Sequence, residues 1–193
     1  VQPWPYLTKI LKISLPKYLY FLRRAADVMA DTEPLYYTSP DLTIGITGFT
    51  IRNPDTGKIY FNRNTTIPDV GQIEPLPDIP PTNGICYILP AEFLRASTIA
   101  CQIVLTNKGD EPIDDIKIVE EHLLQGVLLQ RYDFDLVFMA PRTQNTWETI
   151  YEPEFKRGHK FEEQAVAGPW VIITSLYVRD KLMLRNRAQL KFT

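Results

Sequence analysis

The stretch from Ile116 to Tyr151 constrains this 193-residue chain more than any other, because it reads as two consecutive strands of period two and a turn. Ile116, Ile118, Glu120, His122 and Leu124 share one parity. After Gly126 and a second apolar run, Tyr132, Phe134, Leu136 and Phe138 alternate with Asp133 and Asp135. Side chains on a strand point to opposite faces, so the pattern predicts two consecutive strands with aromatic rings inward and both aspartates in water. Glu120 and His122 break it chemically, because they stand on the apolar parity. A polar pair on such a face must be hydrogen-bonded or hydrated, since unpaired burial costs about 2–7 kcal/mol. An interior with a polar spot, or a cavity, is expected there.

The same language runs through most of the chain. LTIGITGFTIR alternates from Leu42 until Gly48, where the apolar parity slips from Leu42, Ile44 and Ile46 to Phe49 and Ile51. A glycine at a parity slip marks a β-bulge. NPDTGK reads as a hairpin turn, with Gly57 free to take a positive φ, and IYF returns. Residues 62–85 form a long connection, and LP-A interrupts GICYILPAEFLRAS. TIACQIVLT places Ile99, Cys101, Ile103 and Leu105 on one face. EPEFKRGHKFEEQAVAGP reads as a polar loop; WVIITSLYV and LMLRNRAQLKF read as strands, the last with Ala188, Leu190 and Phe192 inward. Seven to nine short strands separated by turn signals predict an all-β fold, a β-sandwich. Sixteen prolines suit loop-rich β architecture and oppose long helices.

The first 24 residues differ. Leu7, Ile10, Leu11, Leu15, Tyr18, Leu19 and Leu22 fall near helical spacing, with Lys9, Lys12, Lys17, Arg23 and Arg24 largely between them and no acidic residue. Pro16 should split the helix. A flank or lid packed on the domain, a membrane-surface contact and a targeting peptide are the three readings of this stretch.

Several function classes lose ground on composition. A net charge of −2 gives no general drive towards nucleic acid, and Lys and Arg are spread too evenly to form a track. No run of 18 apolar residues offers a membrane span. Cys86 and Cys101 suit reduced core residues of a cytosolic chain better than a disulfide framework. There is no G-x-S-x-G elbow, P-loop glycine pattern or H-E-x-x-H pair. Only Glu120 with His122 could supply acid/base chemistry or two metal ligands, and a metal site would need further carboxylates. The reading is of a chain with no catalytic residues, no metal and no cofactor.

EEHLLQGVLLQRYDFDLVFMAPRTQNTWETIY resembles the family of GMP phosphodiesterase delta subunits, the solubilising factors for lipidated proteins. Its E-x-H element, YDFDLVF, the AP-x-x-x-NTW turn and the following IY carry the likeness. YYTSP at 36–40, FTIRNPDTGKIYF at 49–61, PAEFLR at 90–95 and VRDKLMLRNRAQLKF at 178–192 extend it in the family's order over residues 27 to 193. The acyl-binding "uncoordinated" branch is the nearer match. The resemblance implies an immunoglobulin-like β-sandwich whose sheets part to admit a lipid tail. The expected division is this domain over residues 41–193 after an amphipathic, helical extension and linker over residues 1–40, whose first 26 residues the likeness does not cover.

It also implies a role: sheathing the lipid of N-terminally acylated, myristoylated proteins and moving them between membranes, without stable membrane anchoring. Cargo release would fall to an Arl-type small GTPase, in the cytoplasm and in a cilium or flagellum. Tyr87 matches the pocket tyrosine of the acyl-binding branch, and Glu120 and His122 match its E-x-H element. Leu176 stands where that branch has a tyrosine, and Cys101 where the prenyl-binding branch has a pocket arginine. With the inward residues Ile99, Ile103, Tyr132, Phe134, Leu136, Phe138 and Leu190 these make the expected lipid-binding set. Prenylated cargo, a solid β-sandwich interaction module and an enzyme remain as alternatives.

Overall fold

The computed structural model describes residues 37–63, 72–75, 85–153 and 158–193. Among them the chain forms β1 (Tyr37–Thr38), β2 (Ile44–Arg52), β3 (Ile59–Asn62), β4 (Gln72–Pro75) and β5 (Ile85–Leu89). A 3₁₀ turn at Ala91–Arg95 leads into β6 (Ile99–Asn107), β7 (Ile113–Leu124), β8 (Val127–Met139) and β9 (Gln144–Tyr151). The α-helix His159–Ala167 precedes β10 (Trp170–Val178) and β11 (Lys181–Phe192).

Local chemistry sets the hairpins. Gln125 and Gly126 both have positive φ (52° and 80°), which lets a two-residue turn pair Leu124 with Val127 and twist β7 and β8 together. Arg179 and Asp180, at 48° and 62°, do the same between β10 and β11, where Val178 faces Lys181. In the β2–β3 turn Asn53 Oδ1 accepts from the N–H groups of Asp55 (2.8 Å) and Thr56 (3.1 Å), and Gly57 takes φ 73°. The register of β2 against β6 shifts between Ile46 and Gly48, so the parity slip is a bulge.

Two sheets result. One runs β4-β5-β11-β10-β7-β8, with β1 also on β11; its β5–β11 pair is parallel and its other pairs antiparallel. The other, β3-β2-β6-β9, is antiparallel throughout. Their inner faces meet in two separate apolar clusters. One gathers Trp170, Phe93, Leu89, Leu190, Leu124, Ile99, Tyr60 and Phe61; the other gathers Ile44, Leu105, Ile116, Ile118, Met139, Leu176 and Met183. The architecture is therefore the expected two-sheet sandwich.

Some expectations need correction. The described residues hold eleven strands, not seven to nine, and β7, β8 and β11 run to 12 or 13 residues. Residues 159–167 are helical, not loop: Phe161 and Ala165, four apart, share the face turned to the Trp170 cluster, and the hydrogen bond from Gly168 N–H to Gln164 O closes the end. Phe138 is 54% exposed despite its parity. It sits at the far end of β8, an edge strand, opposite Asp114, and its neighbour Met139 is fully buried instead. The expected N-terminal helix lies outside the described residues, and Tyr37–Thr38, placed in the linker by sequence, form β1.

Candidate functional site

Residues of both clusters border one small gap between the sheets. It is a pocket of about 20 Å³, open in part to solvent. The four-stranded sheet lines it with Phe49 on β2, Cys101 and Ile103 on β6, and Trp147 and Thr149 on β9. Register brings them together: Ile103 faces both Phe49 and Trp147, and Cys101 faces Thr149. The seven-stranded sheet answers with Ile118 and Glu120 on β7 and Phe134 on β8, where Ile118 pairs with Phe134.

The polar spot predicted from parity is real. Glu120 lines the pocket with its side chain 15% exposed, and its Oε2 lies 3.8 Å from His122 Nε2, beyond hydrogen-bond reach. His122 is one step further along β7, buried with its ring edge-on to Tyr132 (5.4 Å between centroids) and Trp170 (6.1 Å). Its Nε2 has no hydrogen-bond partner among the described residues. Leaving such an atom unsatisfied costs about 1–3 kcal/mol, so the position favours anything that brings it a partner.

Three more polar groups gather nearby. Cys101 Sγ lies 3.7 Å from the Tyr151 hydroxyl. Burial, and after it the Glu120 charge, pushes the Cys101 thiol far above its ordinary range. Burial raises the Tyr151 phenol too, followed by Cys101 and Glu120, and it raises Tyr87 with Glu120 second. All three stay protonated at neutral pH. A thiol held in this form is a poor nucleophile, and among the described residues no group of three His, Cys, Asp or Glu side chains could hold a metal.

Of the residues singled out by sequence, Cys101, Ile103, Glu120 and Phe134 line the pocket. Tyr132 and Tyr87 border it: Tyr132 stacks on Phe134 (5.9 Å) and leans on Tyr151 (4.3 Å), and Tyr87 packs between Phe49 (5.9 Å) and Phe61 (4.8 Å). Ile99 and Leu190 belong to the Trp170 cluster, while Leu176 and half-buried Leu136 belong to the Met139 cluster. Phe138 takes no part. Sequence reasoning missed Phe49, Ile118, Trp147, Thr149 and Tyr151. The alternation of Trp147, Thr149 and Tyr151 was visible, but it was read as a turn and its sequel, whereas Gln144–Tyr151 is the edge strand β9.

No helix among the described residues is long and apolar enough to cross a membrane. Comparison with known proteins gives a consistent picture. Unc-119 homolog B of Homo sapiens is 31% identical over 115 residues, covering 57% of this chain and 45% of that protein. Its Danio rerio counterpart is 26% identical over 157 residues, covering 75% of this chain and 61% of the relative. Unc-119 of Caenorhabditis elegans is 26% identical over 157 residues, covering 77% and 68% respectively. The chain thus spans about half of the human relative and under two thirds of the zebrafish one. The family model for the GMP-PDE delta subunit matches residues 41–192, every strand of the sandwich except β1, and the chain belongs to that family.

Proposed function

We propose that this protein is a non-enzymatic carrier that sheathes the lipid of N-terminally acylated, myristoylated proteins between its two sheets and so moves them between membranes. The observation that carries the reading is the break in the core: an apolar pocket with Glu120 in its wall and an unsatisfied His122 nitrogen behind it. A fourteen-carbon chain brings roughly 10 kcal/mol of burial at about 0.8 kcal/mol per CH₂, enough to compete with a bilayer. The amide linking that chain to its protein would present its polar atoms to Glu120 and His122. As it stands the pocket has a cavity volume of about 20 Å³, room for little more than a water and far below the common ligand-pocket range of roughly 300–1,000 Å³. Half-buried Phe134, Leu136 and Trp147 therefore have to shift as the sheets part.

The likeness of Tyr87 and the E-x-H element to the acyl-binding branch favours acyl over prenyl cargo. Family resemblance adds release by an Arl-type small GTPase in its GTP form and a cytoplasmic, ciliary or flagellar setting. Native mass spectrometry with matched myristoylated, farnesylated and unmodified peptides tests the proposal. One myristoylated peptide per chain, with almost no binding of the unmodified one, is expected. Equal affinity for those two overturns the carrier reading, and preference for the farnesylated peptide moves the protein to the prenyl-binding branch.

A further inference from the structure

Among the described residues the pocket wall holds one charged side chain, Glu120, and no lysine or arginine. The groups that feel it are acids: Tyr87 from β5 of its own sheet and, across the slot, Cys101 from β6 and Tyr151 from β9. On its own strand His122 is the nearest group able to carry positive charge, 3.8 Å away and buried behind it. A carboxylate only accepts hydrogen bonds, whereas an amide N–H donates, and a bond to an ionised acceptor is the stronger kind. We infer that Glu120 is a specificity-determining residue that admits acyl chains ending in a neutral N–H-bearing amide and turns away chains ending in an anion, free fatty acids above all.

This rests on the carrier reading and goes past it. A carrier for acylated proteins works among unattached fatty acids with the same hydrocarbon tail. Burial of that tail cannot tell the two apart, so discrimination has to come from the head. Like-charge apposition in a site shielded from water is the means this wall offers.

The test uses the full chain at pH 8 with three ligands sharing one fourteen-carbon chain: myristate, N-myristoylglycinamide and tetradecanol, measured by competition against a fluorescent acyl probe. Both neutral ligands should bind at least about tenfold more tightly than myristate, and Glu120→Gln should shrink the gap between myristate and tetradecanol by at least about threefold. Desolvation of the fatty-acid anion is common to both proteins, so the narrowing isolates the side chain. A gap left unchanged by the substitution overturns the inference, as does myristate matching the neutral ligands in the unmodified protein. Failure of all three ligands to bind overturns the carrier reading as well, because tetradecanol has no charge to reject. Should the glutamine variant not fold, Glu120→Ala replaces it with the same expected narrowing.

Discussion

The two halves of the core are built from different materials. At one end Trp170 is ringed by Phe192 (5.6 Å), Phe161 (5.9 Å), His122 (6.1 Å) and Phe93 (6.4 Å), with the helix His159–Ala167 and the 3₁₀ turn laid over them. Arg95 clasps those two elements together through a bidentate pair with Glu162. At the other end the buried members are aliphatic or methionine, among them Met139 and Met183, and their fringe of Phe134, Leu136 and Trp147 is only half-buried. Rigid rings with fixed geometry resist rearrangement, whereas methionine adapts to irregular gaps. The pocket opens where the second kind begins. A sandwich that must both stay folded and part its sheets can divide those duties between its ends.

Substitutions should separate the two duties. Trp170→Ala removes the largest buried side chain of the first cluster and should cost about 3–5 kcal/mol in urea denaturation. Met183→Leu at the opposite end should cost under about 1.5 kcal/mol, and equal costs would erase the distinction.

Alkali comes next, since three groups around the pocket act together. Tyr87, Cys101 and Tyr151 hold their protons more tightly folded than unfolded. The unfolded chain loses them first, around pH 8.5 for cysteine and about 10 for tyrosine, so it binds fewer protons than the native state there. Stability from this source is complete below about pH 8.5 and falls as pH rises further. Urea midpoints measured from pH 7 to 10.5 should drop steadily, and a flat profile would mean that the slot is wet.

Filling the slot should spare the fold and damage binding. Ile103→Trp should weaken a myristoylated peptide by at least about tenfold, close to 1.4 kcal/mol, with a far smaller stability loss than Trp170→Ala. Unaltered affinity would place the lipid elsewhere. His122→Phe is the smallest change and the most diagnostic. It deletes a buried nitrogen that has no partner among the described residues, so the free protein should gain up to about 1 kcal/mol while cargo affinity falls. A lower melting temperature would show that Nε2 is satisfied in solution.

Much of this was readable in the residues because period two is a strong signal wherever one face is buried. It located β7 and β8, put Glu120 and His122 inward, and identified the bulge before Gly48 and the Gly57 turn. It misplaced features that depend on neighbours in space. The helix His159–Ala167 offers only Phe161 and Ala165 to the core, too few to stand out in a polar stretch. Phe138 kept its parity but lies at the end of an edge strand, where exposure is set by how far the opposing sheet reaches. Trp147 was hidden because β9 alternates between half-buried and exposed positions without one fully buried residue. Nothing in the sequence showed that the core divides in two, which follows from packing across both sheets.

The claim that this division is the lipid slot can be tested at individual methyl groups. Four isoleucines are well placed: Ile103 and Ile118 line the pocket, Ile99 lies in the Trp170 cluster and Ile44 in the Met139 cluster. With isoleucine methyls labelled and a myristoylated peptide bound, nuclear Overhauser contacts from the acyl chain should reach Ile103 and Ile118, extend towards Ile44, and miss Ile99. Contacts to Ile99 without Ile103 and Ile118, or a bound chain that touches none of the four, would contradict the account.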